Sequence, residues 1–322
     1  MSVYQQKKLI LALSPMDGVT DLPMRQITKK YGQPDFLFTE FLNVEGWHHA
    51  PDHLKNILAC DQKKEAPVIA QIYGLTPQFF YDAATEICAR GFFGIDLNFG
   101  CPARTVVHNG AGGGLIKNPT LAKEIYFAAR QATLDFAHAQ QTPPLPVSIK
   151  TRIGFAANEI NTWLPFLLEL KPDLISLHGR TLKQGYSGSA DWQAIAKAVA
   201  WRDQISPTTA IFGNGDVHSR AQAQTLATQS GVDGVLIGRA ALGNPWVFND
   251  KIANLEEKIQ VALEHSQLFE KTYQKQKNYR FVPMRKYLAA YISSFPHAKL
   301  IRQQLMQAES STDVAAILAK VH

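Results

Sequence analysis

Four side chains of reactive type, Gln71, Cys101, Lys150 and His178, each stand at or just past the end of a short apolar run. That position suits a group acting on something held beyond the run. Cys101 lies in Asp96-Leu97-Asn98-Phe99-Gly100-Cys101-Pro102 and opens a glycine-rich segment, 101–118. Free cysteines are mostly small buried hydrophobes, which is the reading for Cys60 and Cys88, but a loop of that length is more often a functional lid than filler. An ordinary thiol, with a pKa of about 8.5, is protonated at neutral pH and can act as a proton donor. Lys150, in Lys150-Thr151-Arg152, carries an ammonium that is costly to bury unless it meets an anion or an electron-rich group. His178, in His178-Gly179-Arg180-Thr181, fits either a satisfied structural histidine or a site residue. The turns Gly213-Asn214-Gly215-Asp216 and Gly238-Arg239 serve tight geometry or, through exposed N–H groups and the Arg239 fork, a phosphate.

The elements that must carry these residues alternate regularly. Apolar runs cover Leu9–Ser14, Phe36–Thr39, Val68–Ile72, Gly94–Asn98, Val147–Thr151, Leu174–His178, Ala210–Gly213 and Val235–Gly238. Most are continuous, as parallel strands covered on both faces require. Helical patterns fall between them at 77–90, 119–138, 158–170, 191–202 and 219–230. The expected fold is α/β: a (β/α)8 TIM barrel over 1–245, followed by a small C-terminal helical domain over 246–322. A doubly wound sheet is the rival, but no GxGxxG turn follows the first strand, and the Gly110–Gly114 cluster follows a loop. In such a barrel the strand C-termini converge on one mouth, which would bring together Ser14 to Asp21, Thr39-Glu40 and the motifs above. One fitting partner for Lys150 there is the N1–C2=O edge of a flavin, with Gln71 pairing donor and acceptor to the pyrimidine edge of that ring.

The 322 residues include 33 Lys and Arg against 27 Asp and Glu, a formal charge of +6, and the hydrophobic share of 46% excludes a disordered chain. No run approaches the roughly 20 apolar residues of a membrane span, so a membrane partner is not expected. The cysteines share no CxxC spacing, which argues against a disulfide framework or a structural zinc site and for a reducing cytoplasm. The surplus charge is concentrated. Lys271, Lys275, Lys277, Arg280, Arg285, Lys286, Lys299 and Arg302 stand in a stretch without an acidic residue, interleaved with Tyr273, Tyr279, Phe281, Tyr287, Tyr291 and Phe295. A solvated helix face explains most such runs; unopposed charge with interleaved rings also fits a polyanion, RNA above all. The tail reads as helices at 255–273, 283–293 and 298–320, separated near Pro283 and Pro296.

Taken together, the motifs resemble those of the tRNA-dihydrouridine synthases. The matching residues are Pro15-Met16-Asp17-Gly18-Val19-Thr20-Asp21, Gln71-Ile72-Tyr73-Gly74, Asp96 to Pro102, Lys150-Thr151-Arg152, His178-Gly179-Arg180-Thr181, Asn214-Gly215-Asp216 and Gly238-Arg239. His178 to Tyr186 and Asp191-Trp192-Gln193-Ala194-Ile195 are most similar to the bacterial C-type, which acts on position 16 of the D-loop. The resemblance implies FMN as cofactor and NADPH as reductant, with hydride passing from flavin N5 to uracil C6 and a proton from Cys101 to C5. It implies Pro15, Met16, Asp17, Gln71, Lys150, His178, Asn214, Gly215, Asp216, Gly238 and Arg239 around the FMN. Asn43 and Asn98 would meet the tRNA, and Arg280, Arg285, Lys286 and Arg302 would hold its phosphates. A monomer suffices. The same activity at another D-loop position, an FMN-dependent dehydrogenase of a free pyrimidine such as dihydroorotate, and a non-catalytic RNA-binding module stay open as alternatives.

Overall fold

Eight parallel strands close on one another in sequence order: β1 (Ile10–Leu13), β2 (Phe36–Asn43), β3 (Val68–Tyr73), β4 (Gly94–Phe99), β5 (Val147–Arg152), β6 (Leu174–His178), β7 (Ala210–Asn214) and β8 (Gly234–Ile237). The closing pair runs from Ile10↔Gly234 to Leu13↔Ile237. This computed structural model describes residues 3–6, 8–54, 56–293 and 298–321. Phe295 and Pro296 of the basic stretch, and Met1, Ser2 and Lys7 at the start, lie outside them. Among the described residues, no helix is long and apolar enough to cross a membrane.

Alternation along the strands sorts the core into two parts. Ile10, Ala12, Phe36, Phe38, Ile69, Leu174, Ala210, Phe212 and Leu236 pack inside the barrel with Tyr4. Their neighbours Leu11, Leu13, Leu37, Ala70, Ile95, Ile149, Ile175 and Val235 belong to the larger layer between strands and helices. The Tyr4 ring sits 5.3 Å from that of Phe36 and 6.0 Å from that of Phe212, filling the N-terminal end of the barrel. Two residues further along several strands, the inward positions are polar: Gln71 follows Ile69 and Asn214 follows Phe212, while Asn98, Lys150 and His178 follow the already polar Asp96, Ser148 and Ser176. The apolar floor thus sets how deep the polar layer lies.

β2 departs from expectation. It was expected to end at Thr39-Glu40 but continues to Asn43, with its pairing to β3 shifting between Phe38↔Ile69 and Phe41↔Gln71. A bulge absorbs the extra residue. Thr39 Oγ1 there accepts the backbone N–H of Gln71 at 3.0 Å.

The tail begins with the expected helix, Leu255–Tyr273, closed at its start by an Asn254–Glu257 capping box. The expected helix at 283–293 is shorter, Arg285–Tyr291, entered by a 3-10 turn at Val282–Met284. The single helix expected over 298–320 is two, Ala298–Leu305 and Ser311–Leu318. Ser310 takes the N–H of Asp313 as an N-cap and starts the second. Arg285 donates to the carbonyls of Ala308 and Gln307, which follow the end of the first.

Beneath β1, helix Leu22–Gly32 buries Arg25 against Glu65, Nε to Oε2 at 2.7 Å, with side chains 1% and 0% exposed. Arg25 also donates to Thr20 O and Ala59 O, so this cation is fully engaged. Removing the carboxylate strands it in an apolar surrounding. Glu65→Ala is expected to lower unfolding stability in urea by about 3–5 kcal/mol; a loss below ~1 kcal/mol would show that the site is hydrated.

Candidate active site

A cavity of ≈ 460 Å³ opens at the C-terminal mouth of the barrel. Pro15, Met16 and Asp17 enter it after β1, Gln71 from β3, and Asn98 and Cys101 from the end of β4. Lys150 and His178 line it from β5 and β6, with Asn214, Gly215 and Asp216 from β7 and Gly238 and Arg239 after β8. All eleven residues placed around the FMN by resemblance, with Asn98 and Cys101, therefore share one space. Phe41, Arg152 and Tyr186 line it too. Arg152 was legible as the next inward position after Ser148 and Lys150. Phe41 was hidden by the β2 bulge, which changes the register, and Tyr186 lies in a loop without periodicity.

Lys150 is the half-buried cation of this space, beside Arg152, which is buried and taken up by backbone carbonyls. The Lys150 Nζ has one hydrogen-bond acceptor, Asn214 Oδ1 at 3.3 Å. Burial, then the neighbouring Arg152, pushes its pKa down to about 8, while Asp96 pulls the other way. Asp96, fully buried on β4, accepts Ser148 Oγ and Gln71 Nε2, each at 2.5 Å. Burial raises its carboxyl to about 6 against those two hydrogen bonds and Lys150. Gln71 Oε1 accepts Asn98 Nδ2 at 2.9 Å, and Asn98 Oδ1 accepts the N–H groups of Gly100 and Cys101 at 3.1 and 2.8 Å. Each of the two amides is left with one free N–H.

The Cys101 thiol is 8% exposed. Burial raises its pKa; the N–H of Ala103 and the cations Arg152 and Lys150 oppose that. Arg152 straps the loop in place, donating to Gly100 O at 2.8 Å and across to Thr181 O and Gly185 O. His178 is held neutral: burial, then Lys150, Arg152, Arg180 and Arg239, lower its pKa to about 2. Its Nε2 lies 3.4 Å from Arg180.

The β7 and β8 turns form the cationic side. Gly215 has φ +127°, and a Cβ there would come within 2.6 Å of Ala190 and 3.1 Å of His178. Burial raises the Asp216 carboxyl, but the N–H of Ala190 and the guanidinium of Arg180 outweigh it and hold the pKa below the usual range. Arg180 sits 2.6 Å from Asp216, and Arg239 lies 3.4 Å from its other oxygen. Arg239, 58% exposed, also stacks 4.6 Å from the ring of Tyr186. With the carboxylate turned into these partners, the backbone N–H groups of Gly215, Asp216, Gly238 and Arg239 have no acceptor among the described residues.

The residues expected to meet tRNA, Asn43 by resemblance and Arg280, Arg285, Lys286 and Arg302 from the basic stretch, lie outside the cavity lining, unlike Asn98. Asn43 caps helix Val44–His49 by accepting Gly46 N–H at 2.6 Å. Lys286 donates to Gly18 O and Tyr287 to Val19 O at 2.5 Å, so the tail helix Arg285–Tyr291 grips the β1 loop that carries Pro15 to Asp17. Arg280 is exposed and Arg302 half-buried.

Residues 11–322 match the family described as "Dihydrouridine synthase (Dus)". A probable tRNA-dihydrouridine synthase of Staphylococcus aureus (strain MRSA252) is 33% identical over 311 residues, 95% of this chain and 91% of that protein. Probable tRNA-dihydrouridine synthase 2 of Bacillus subtilis (strain 168) is also 33% identical over 311 residues, 95% of this chain and 92% of its own. Among solved structures, histamine dehydrogenase from Rhizobium sp. 4-9 superposes with a TM-score of 0.52 at 16% identity, over 74% of this chain and 44% of that one. 2-Naphthoyl-CoA reductase gives 0.53 at 11% identity, over 74% and 49%. The chain spans under half the length of either, and at these identities the likeness is one of fold.

The raised thiol has a direct consequence. Alkylation of Cys101 by iodoacetamide, followed on its own peptide by mass spectrometry, is expected to titrate above the ~8.5 of an ordinary cysteine. An apparent pKa at or below that value would mean that the cations outweigh burial.

Proposed function

The chain belongs to the dihydrouridine synthase family, and from that premise we propose that it reduces a uridine in the D-loop of tRNA to 5,6-dihydrouridine, with FMN as cofactor and NADPH as reductant. The target in this reading is position 16, on the strength of the His178–Tyr186 and Asp191–Ile195 segments. The barrel, 1–245, is the catalytic part and 246–322 the RNA-holding part of a cytoplasmic monomer.

The observation that carries the reading is the pairing of a half-buried ammonium, Lys150, with a protonated thiol, Cys101, across one cavity. A half-buried cation facing the cavity with a single long hydrogen bond is matched by an electron-rich ring edge. The unpartnered N–H groups of Gly215, Asp216, Gly238 and Arg239 suit a phosphate that the Arg239 side chain also reaches. The donor set therefore fits FMN, held by Pro15, Met16 and Asp17, by Gln71, Lys150 and His178 around the ring, and by Asn214, Gly215, Asp216, Gly238 and Arg239 along the chain and phosphate.

When bound and reduced, the flavin supplies a hydride to uracil C6. The protein's own part is the proton. Addition at C6 leaves enolate-like charge at C5, and the Sγ–H of Cys101 delivers its proton there, completing the saturation and leaving a thiolate beside Arg152 and Lys150. Neutral His178 adds no competing proton source. The uridine reaches the mouth flipped from its stack, and the free N–H of Asn98 is available to its base edge. Arg285 and Lys286 donate within the protein, so the phosphate contacts rest first on Arg280 and Arg302, with Asn43 at the rim and Arg285 and Lys286 holding the tail to the barrel.

Cys101→Ala should bind FMN and accept electrons from NADPH as the wild type does, while dihydrouridine formation on tRNA falls by roughly 100-fold or more. Near-wild-type tRNA reduction by that variant would remove Cys101 from the mechanism.

A further inference from the structure

A chain of side chains crosses the barrel wall from Ser148 on β5 through Asp96 on β4 to Gln71 on β3, and back through Asn98 to the backbone at Cys101. Its polarity is dictated at both ends. An ionised carboxylate only accepts, so the atom of Gln71 that faces Asp96 must be Nε2. Backbone N–H groups only donate, so the atom of Asn98 that faces Gly100 and Cys101 must be Oδ1. The middle contact then pairs Gln71 Oε1 with Asn98 Nδ2, donor to acceptor, and no other arrangement of the two amides satisfies every link. The whole path is buried: Asp96, Gln71 and Ser148 are 0% exposed and Asn98 is 6% exposed. Water is therefore a poor substitute for a lost partner.

We propose that this relay of fixed polarity, Asp96–Gln71–Asn98, is the device that positions Cys101 at the cavity, with Asp96 as its buried anchor. Asp96 is a positioning residue: it lies below the cavity lining and acts on the thiol through two amides. The importance of that position rests on the reading of Cys101 as the proton donor, whereas the relay itself is testable without flavin or tRNA.

Exchanging acid and amide provides the test. At pH 8, where Asp96 with its pKa of about 6 is ionised, the new carboxylate of Asn98→Asp accepts from Gly100 and Cys101 but faces Gln71 Oε1, and turning the Gln71 amide only moves the acceptor–acceptor clash down to Asp96. Adding Asp96→Asn reverses the relay and completes it: the residue at 98 accepts from Gln71 Nε2, and Gln71 Oε1 accepts from the amide at 96. The amide at 96 then accepts from Ser148. Hydrogen exchange of the peptide containing Gly100 and Cys101, followed by mass spectrometry, is expected to be about tenfold faster in Asn98→Asp than in wild type. Protection should return in Asn98→Asp/Asp96→Asn. Should the single variant not fold, recovery of folded protein by the double carries the same meaning. Wild-type protection in the single variant, or a double variant no better protected or folded than the single, overturns the relay. Loss of activity in Cys101→Ala is a separate readout, so failure of the function and failure of the relay are told apart.

Discussion

Placing two opposite charges on adjacent strands inside a barrel is the constraint from which the rest of the site follows. Asp96 is fully buried and Lys150 half-buried, and burial pushes each toward its neutral form. A buried charge persists only where its remaining hydrogen-bonding capacity is met. For Asp96 that demand is met within the protein, by Ser148 and Gln71. For Lys150 it is met only in part, by one oxygen of Asn214. The carboxylate side of the pair is thus closed and structural, and the ammonium side opens on the cavity. The apolar floor of Tyr4, Phe36 and Phe212 keeps both at the depth where this difference matters.

The tail does more than carry charge. Net charge in the sequence concentrates after residue 270, which suggested an arm whose cations all face a polyanion. Two of those cations instead donate within the protein, Arg285 to the carbonyls of Gln307 and Ala308 and Lys286 to Gly18. With Tyr287 on Val19, the helix Arg285–Tyr291 bears directly on the loop that carries Pro15, Met16 and Asp17 into the cavity. The arm and the catalytic mouth are one packed unit at this point, so whatever docks on the arm sits against the β1 loop.

Much of this was legible in the sequence because a parallel barrel writes itself in continuous apolar runs. Each of the eight runs became a strand, with ends displaced by no more than a few residues, and the polar residues closing them meet in one cavity. What escaped notice did so for physical reasons. Glu40 looked like the end of β2 because a charge interrupts an apolar run, but a bulge accommodates it and carries the strand on to Asn43. The tail's last helix was read as continuous because a serine N-cap is a local signal easily outweighed by periodicity. The relay from Asp96 to Cys101 was out of reach, since it joins residues on two strands, β3 and β4, whose pairing register is set by the whole barrel.

Reduction of a tRNA uridine in this cavity, as proposed, is tested by a map of dihydrouridine in tRNA from cells lacking this protein, with and without the wild-type chain restored. Loss of dihydrouridine at position 16 of the D-loop, with other positions unchanged and recovery on restoring the chain, is the expected result. A D-loop pattern identical with and without the protein would contradict it.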